Sequence, residues 1–211
     1  MFIHAMNTTA SQPDLSAAIQ CAAGPEIVPA VLPLLQGGVL LDFMPGCTVE
    51  SLMVERLGID PEYAFGRVQT IFLDGHPVDR LEDTVHDGAV IALSAALPGL
   101  IGATMRKMGV LSSFRSGISH RNDASITTGG DGVFTLKLFN VVLPELGPEI
   151  LTRGVFLTAQ RFASRLAMLP TAFFQDQPSI ILDGREVRLT PDMTALPGID
   201  PAQLLRLTIR P

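Results

Sequence analysis

Ile71-Phe72-Leu73-Asp74-Gly75-His76-Pro77-Val78 reappears 109 residues later as Ile180-Ile181-Leu182-Asp183-Gly184-Arg185-Glu186-Val187. Each copy is an apolar run, an Asp-Gly pair and a return to apolar character. This is the pattern of a strand entering a tight turn in which glycine supplies the positive φ. Two further matches keep the same order. Val31-Leu32-Pro33-Leu34-Leu35 recurs as Val142-Leu143-Pro144-Glu145-Leu146 at a spacing of 111, and Val90-Ile91-Ala92-Leu93 finds a counterpart in Leu204-Leu205-Arg206-Leu207 at 114. Ordered matches whose spacing drifts by a few residues are what a duplicated domain with small loop insertions gives.

Between the outer matches each copy holds a helical pattern. Thr48 can cap Val49 to Leu57, where Val49, Leu52, Met53 and Leu57 fall on one face and Gly58 stops the run. Thr158 precedes Ala159 to Leu169, with Phe162, Leu166 and Leu169 at helical spacing and Pro170 as terminator. Each unit therefore reads strand, turn, strand, helix, loop, strand, turn, strand. The prediction is an α+β fold of two tandem units, residues 27–99 and 133–211, each a mixed sheet of four or five strands on one helix. Residues 100–132 hold Gly102, Gly109, Gly117, Gly129, Gly130 and Gly132 and read as a linker, with a short amphipathic helix at Ile101 to Met108. Residues 1–26, with Asp14 capping a helical turn at Leu15 to Ile19, read as a peripheral appendage.

Composition narrows the class. The chain has 211 residues, 47% of them apolar and 17% charged, which excludes a disordered polymer. Pro, Gly or charge cuts every apolar run short of the ~20 residues of a spanning helix, so no membrane association is expected. The first ten residues lack a basic region ahead of a hydrophobic run, which argues against a secretory signal. Cys21 and Cys47 form no Cys-x-x-Cys pair and fit a reducing cytoplasm. Charge is uneven: residues 1–99 carry three Arg and no Lys against twelve acids, whereas 133–211 carry eight bases and seven acids. An acidic first unit argues against nucleic-acid binding and for a partner with a basic surface.

A small unit with two hairpins around one helix resembles the ubiquitin-like β-grasp superfamily, specifically its MoaD/ThiS-type sulfur carriers, the small subunit of molybdopterin synthase and its thiamine-pathway relative. Val39-Leu40-Leu41-Asp42-Phe43-Met44-Pro45-Gly46-Cys47-Thr48-Val49-Glu50-Ser51-Leu52 is similar to that family's second strand, Pro-Gly turn and Thr-Val-x-x-Leu helix start. Ile71 to Val78 with Leu81, and Asp87-Gly88-Ala89-Val90-Ile91-Ala92-Leu93, resemble its third and last strands, and Phe134 to Phe139 its first. The likeness covers about 140 of the 211 residues. In that family a Gly-Gly tail is adenylated and converted to a thiocarboxylate, chemistry that needs a chain end free of Cβ atoms. Here the first copy continues through Ala95-Ala96-Leu97-Pro98-Gly99-Leu100 and the second runs to Ile209-Arg210-Pro211. Carrier activity would require cleavage after Gly99.

Enzyme signatures are sparse. His4, His76, His86 and His120 lack metal-ligand spacing, and neither Gly-x-Ser-x-Gly nor a Gly-Lys-Ser phosphate loop occurs. His76, near Asp74 and Asp79, and His86, near Asp83 and Asp87, read as turn residues. No catalytic residue, cofactor or metal is assigned. Two interaction candidates remain: Leu97, Pro98 and Gly99 at the end of the first unit, and Phe173-Phe174, either a loop anchor or an apolar contact patch. The sequence therefore points to a non-catalytic protein-interaction or scaffold protein. The alternatives are a processed sulfur carrier and a small-molecule binder using a cleft between the units.

Overall fold

The computed structural model describes residues 13–95 and 131–210. The order of elements in the first half is repeated in the second. The first half runs β1 (Ile19–Ala23), α1 (Val28–Gly37), β2 (Val39–Phe43), α2 (Val49–Ser51, continued by a π-helical turn at Leu52–Arg56), α3 (Pro61–Gly66), β3 (Thr70–Leu73), β4 (His76–Pro77) and β5 (Val90–Ser94). The second runs β6 (Gly132–Leu138), α4 (Val142–Arg153), β7 (Val155–Thr158), α5 (Ala159–Ala167), β8 (Ser179–Leu182), β9 (Arg185–Arg188) and β10 (Leu204–Ile209). Asp74-Gly75 and Asp183-Gly184 make the expected turns, with φ of 52° and 79° in the first and 47° and 79° in the second. Thr48 and Thr158 cap α2 and α5 by accepting from Ser51 N (3.1 Å) and Arg161 N (3.3 Å).

Four expectations are corrected. Val31 to Leu35 and Val142 to Leu146 are not strands but lie inside α1 and α4, each with a proline in the helix. A five-residue apolar run fits either period; here Ala30, Val31, Leu34 and Leu35 are buried, the spacing of one helical face. Residues 1–26 are not wholly peripheral. Asp14 does cap a short turn at Leu15–Ala17, but Ile19–Ala23 is an interior strand, parallel to β10 and antiparallel to β8. Gly132, read as linker, is a buried strand residue where a Cβ would collide with the Pro45 ring.

The fourth correction concerns the two units. All ten strands form one mixed sheet in the order β4-β3-β5-β6-β2-β7-β10-β1-β8-β9. The halves interleave. Strand β6 of the second half lies between β5 and β2 of the first, and β1 of the first lies between β10 and β8 of the second. The spans 27–99 and 133–211 therefore each lack a strand that the other half supplies. Where the halves meet, β2 and β7 are antiparallel neighbours.

Alternation along the strands defines one buried face. Val39, Leu41, Phe134, Leu136, Ile91, Leu93, Leu205, Leu207, Cys21 and Ile180 share it across the ladders. They form a single core with Val31, Leu35, Leu52, Met53, Ile150, Leu151, Phe162 and Leu166 of the helices. Phe43 and Phe134 meet edge to face, 5.2 Å between centroids. Arg161 and Arg165 of α5 donate to the Leu34 and Ala30 carbonyls of α1, at 3.4 and 2.6 Å, tying the helix layer together.

Candidate functional site

The start of α2 is built into a loop rather than left open. Its free N–H groups are used by the chain at 81–85: Val49 N donates to Asp83 O (2.9 Å) and Glu50 N to Leu81 O (3.1 Å). Further on, the helix widens. Leu57 N donates to Leu52 O (2.9 Å), a π-type bond that places an extra residue in the turn, and Ile59 N donates to Met53 O (3.0 Å). Such π turns are rare and recur at functional sites. Gly58 then reverses the chain with φ 65°, at a position where a Cβ would strike the Arg153 guanidinium. Helix α3 follows at once, with Asp60 accepting from Tyr63 N (3.1 Å) and Pro61 in its first turn.

Helices α2 and α3 thus enclose a groove of about 350 Å³. Thr48, Glu50 and Ser51 line one wall, Val54 and Glu55 come from the π turn, and Pro61 and Phe65 from α3. Phe65 is 40% exposed, one of few large apolar side chains so placed. Ser51 Oγ donates to Glu55 Oε2 (2.7 Å), fixing that carboxylate. The neighbouring base, Arg56, is turned away and bonded to Asp42 of β2, with Nη2 to Oδ1 at 2.7 Å. The groove therefore presents two carboxylates above an aliphatic and aromatic floor.

Two polar clips brace the surroundings, the first within the first half and the second reaching from it to α4. His86 Nε2 faces Asp74 Oδ2 (2.7 Å) and Nδ1 faces the Asp87 carbonyl (2.8 Å), while Asp74 Oδ1 accepts from Val90 N (2.8 Å). Both ring nitrogens face acceptors, an arrangement satisfied by the imidazolium. Burial pulls the His86 pKa down, but the Asp87 and Asp74 hydrogen bonds outweigh it and raise the value. Arg67 donates two hydrogen bonds to Glu145 of α4 (2.7 and 3.1 Å), and the Tyr63 hydroxyl donates to the same carboxylate. These bonds lower Glu145 to about 2. Burial and Glu145 push Tyr63 up to about 12.

The thiols are poor nucleophiles. Burial pushes Cys21 up to about 12 and raises Cys47 as well. Among the described residues, no three or more His, Cys, Asp or Glu side chains cluster in a way that would hold a metal ion, and no helix is long and apolar enough to cross a membrane. His4 and His120 lie outside the described residues, as do Leu97, Pro98 and Gly99. Phe173 and Phe174 separate: Phe174 is in the core, whereas Phe173 is half-buried against it, 5.1 Å between centroids at 90°. Phe173 lines a different cleft, with Glu26, Asp176 and Ser179.

The acidic half is readable in the sequence, whereas the groove is not. Asp60-Pro61 was a readable helix start; the exposure of Phe65 depends on how α3 packs, which no local pattern reveals. Compared with known proteins, the chain matches no family model, no curated protein and no solved structure.

Proposed function

We propose that the chain is a non-catalytic protein-interaction module that docks a basic, partly apolar segment of another protein in the groove between α2 and α3. The observation that supports this most is the coincidence in one cleft of Glu50 from α2, Val54 and Glu55 from the π-helical turn and Phe65 from α3, with Arg56 bonded elsewhere. A lysine or arginine side chain suits such a groove, its head on the carboxylates and its methylene stem on the apolar floor.

The same reading includes a β-grasp ancestry. The order β2-β6-β5-β3-β4, with β5 and β6 parallel at the centre and antiparallel strands on either side, is consistent with one such unit. The order β7-β10-β1-β8-β9 keeps a central parallel pair but exchanges its members, with β10 beside β7 and β1 beside β8. Docking on this scaffold needs no terminal Gly-Gly and no bound cofactor.

The test is affinity purification from the source cells with the full chain and with its Glu50→Lys, Glu55→Lys double variant. The expected result is one prominent partner, carrying a basic segment, that is lost with the variant. Identical partners for both proteins would reject the groove as the docking site.

A further inference from the structure

We propose that β9 is an edge that pairs with itself: two copies of the chain join antiparallel, β9 to β9, about a two-fold axis at Val187. This surface lies in the other half of the sheet order from the docking groove and does not depend on it. The sheet begins at β4 and ends at β9, so these two strands carry its open edges. They hold equivalent places in the two copies, each following an Asp-Gly turn. An open edge presents unpaired N–H and C=O groups and is a template for another strand. Leu189 N donates to Pro178 O (2.8 Å), and hydrogen-bonded pairs alternate along an antiparallel ladder, so Val187 and Arg185 turn their backbone groups toward Ile180 and Leu182 of β8. Glu186 and Arg188 turn theirs outward. Counting likewise from Val78 N, which donates to Ile71 O (2.9 Å), the outward residue of β4 is Pro77, which has no N–H. Proline thus stops the first copy's edge at the position where the second has Glu186, and of the two edges only β9 is left able to extend.

Charge selects the partner and the register. Pairing outward groups with outward groups allows three registers between two copies of β9. One sets Glu186 against the partner's Glu186 and another sets Arg188 against the partner's Arg188, and like charges directly opposite are unfavourable. The remaining register puts Val187 against the partner's Val187 at the axis and, on either side, Glu186 against the partner's Arg188. Each flanking pair then exchanges both of its backbone hydrogen bonds and matches opposite charges. The side chains are free to do so. Glu186 and Arg188 are exposed, and Arg188 has no ion-pair partner among the described residues. Ser179 Oγ donates to Glu186 Oε1 (2.8 Å), which holds the carboxylate on the outer face of the sheet. Val187, opposite Ile180 and packed against the core, meets its copy on the helix-covered face. Closure about the axis consumes both β9 edges and leaves a proline-stopped β4 at each end, so growth halts at two copies.

Sedimentation equilibrium of the full chain from about 10 μM to about 1 mM tests the pairing, because an interface this small gives weak, concentration-dependent dimerisation in that range. Glu186→Pro repeats Pro77 of the first copy. It removes an outward N–H and a charge without touching a bond to β8, so the chain should stay folded and be monomeric throughout. Arg188→Glu should be monomeric as well, since it sets Glu186 against a carboxylate. Glu186→Arg combined with Arg188→Glu reverses both pairs and should restore the dimer. An unchanged urea midpoint checks that each variant is folded. A native chain that is monomeric at about 1 mM, a dimer that persists in either single variant, or a reversed pair that stays monomeric overturns the proposal; none of these results bears on the groove.

Discussion

Leu40 and Phe156 stand opposite each other across the seam where the halves of the sheet meet, Leu40 on β2 and Phe156 on β7. Each comes two residues after a glycine with positive φ, Gly38 at 97° and Gly154 at 89°, that ends the preceding helix. The two residues thus hold matching positions in the two halves, although the strands that flank them differ, β6 beside β2 and β10 beside β7. The Arg206 guanidinium lies 5.9 Å from the Phe156 ring and covers it. Phe156→Ala should cost about 3 kcal/mol, and a double-mutant cycle with Leu40→Ala should show a coupling of about 0.5–1 kcal/mol. Gly154→Ala should cost about 1–2 kcal/mol, because its φ is unfavourable for a side chain and the new Cβ meets Arg206 and Thr208. Urea unfolding of each variant measures all three.

Thr70 is fully buried, and its hydroxyl has no hydrogen-bond partner among the described residues. Its cross-strand neighbour Ser94 is satisfied by Asn140 Nδ2, which donates to Ser94 Oγ at 2.8 Å. Thr70→Val keeps the shape and removes an unsatisfied group, so it should be neutral or stabilising by up to about 1 kcal/mol. Ser94→Ala should instead lose about 1 kcal/mol by stranding Asn140. The two denaturation midpoints should move in opposite directions or the first not at all.

His86 makes stability pH-dependent in a defined direction. Its pKa is raised in the folded chain above the ordinary 6.5, so its contribution is complete below that value and is lost as pH rises through the folded value. The thermal midpoint of the native chain should fall across this window. In His86→Gln the fall should be reduced, and a wild-type slope in that variant would remove Asp74 and Asp87 as the cause.

Tyr63 offers a direct optical test, because the chain has one tyrosine and no tryptophan. Spectrophotometric titration should place its ionisation near 12, against an ordinary value of 10.0. Glu145→Gln should bring it down toward the ordinary value. Glu145 itself, ordinarily at 4.5, is lowered to about 2, so its contribution is present above 4.5 and lost as pH falls toward 2.

What was legible in the sequence was local. The Asp74-Gly75 and Asp183-Gly184 turns and the Thr48 and Thr158 caps each depend on a few adjacent residues, and each is where the spacing predicts. Pairing was not legible. Nothing in Ile19–Ala23 says that its neighbours are Leu205–Ile209 and Ile180–Leu182, and nothing in Gly132–Leu138 says that it completes the other half's sheet. The adjacent Phe173 and Phe174 looked alike as sequence, and only packing sends one into the core and the other to a cleft wall. The charge imbalance of the first half was readable, while the groove that gives it a shape needed the π turn and α3.

The interleaved sheet underlies the groove, since the groove's own half is completed by β6, as the other half is by β1. A protease site inserted between Ala95 and Asp131, then cut, tests it most directly. The two pieces should remain together on size-exclusion chromatography in native buffer and separate only in denaturant. Two folded pieces that elute apart in native buffer would contradict the interleaved sheet and restore the picture of two independent units.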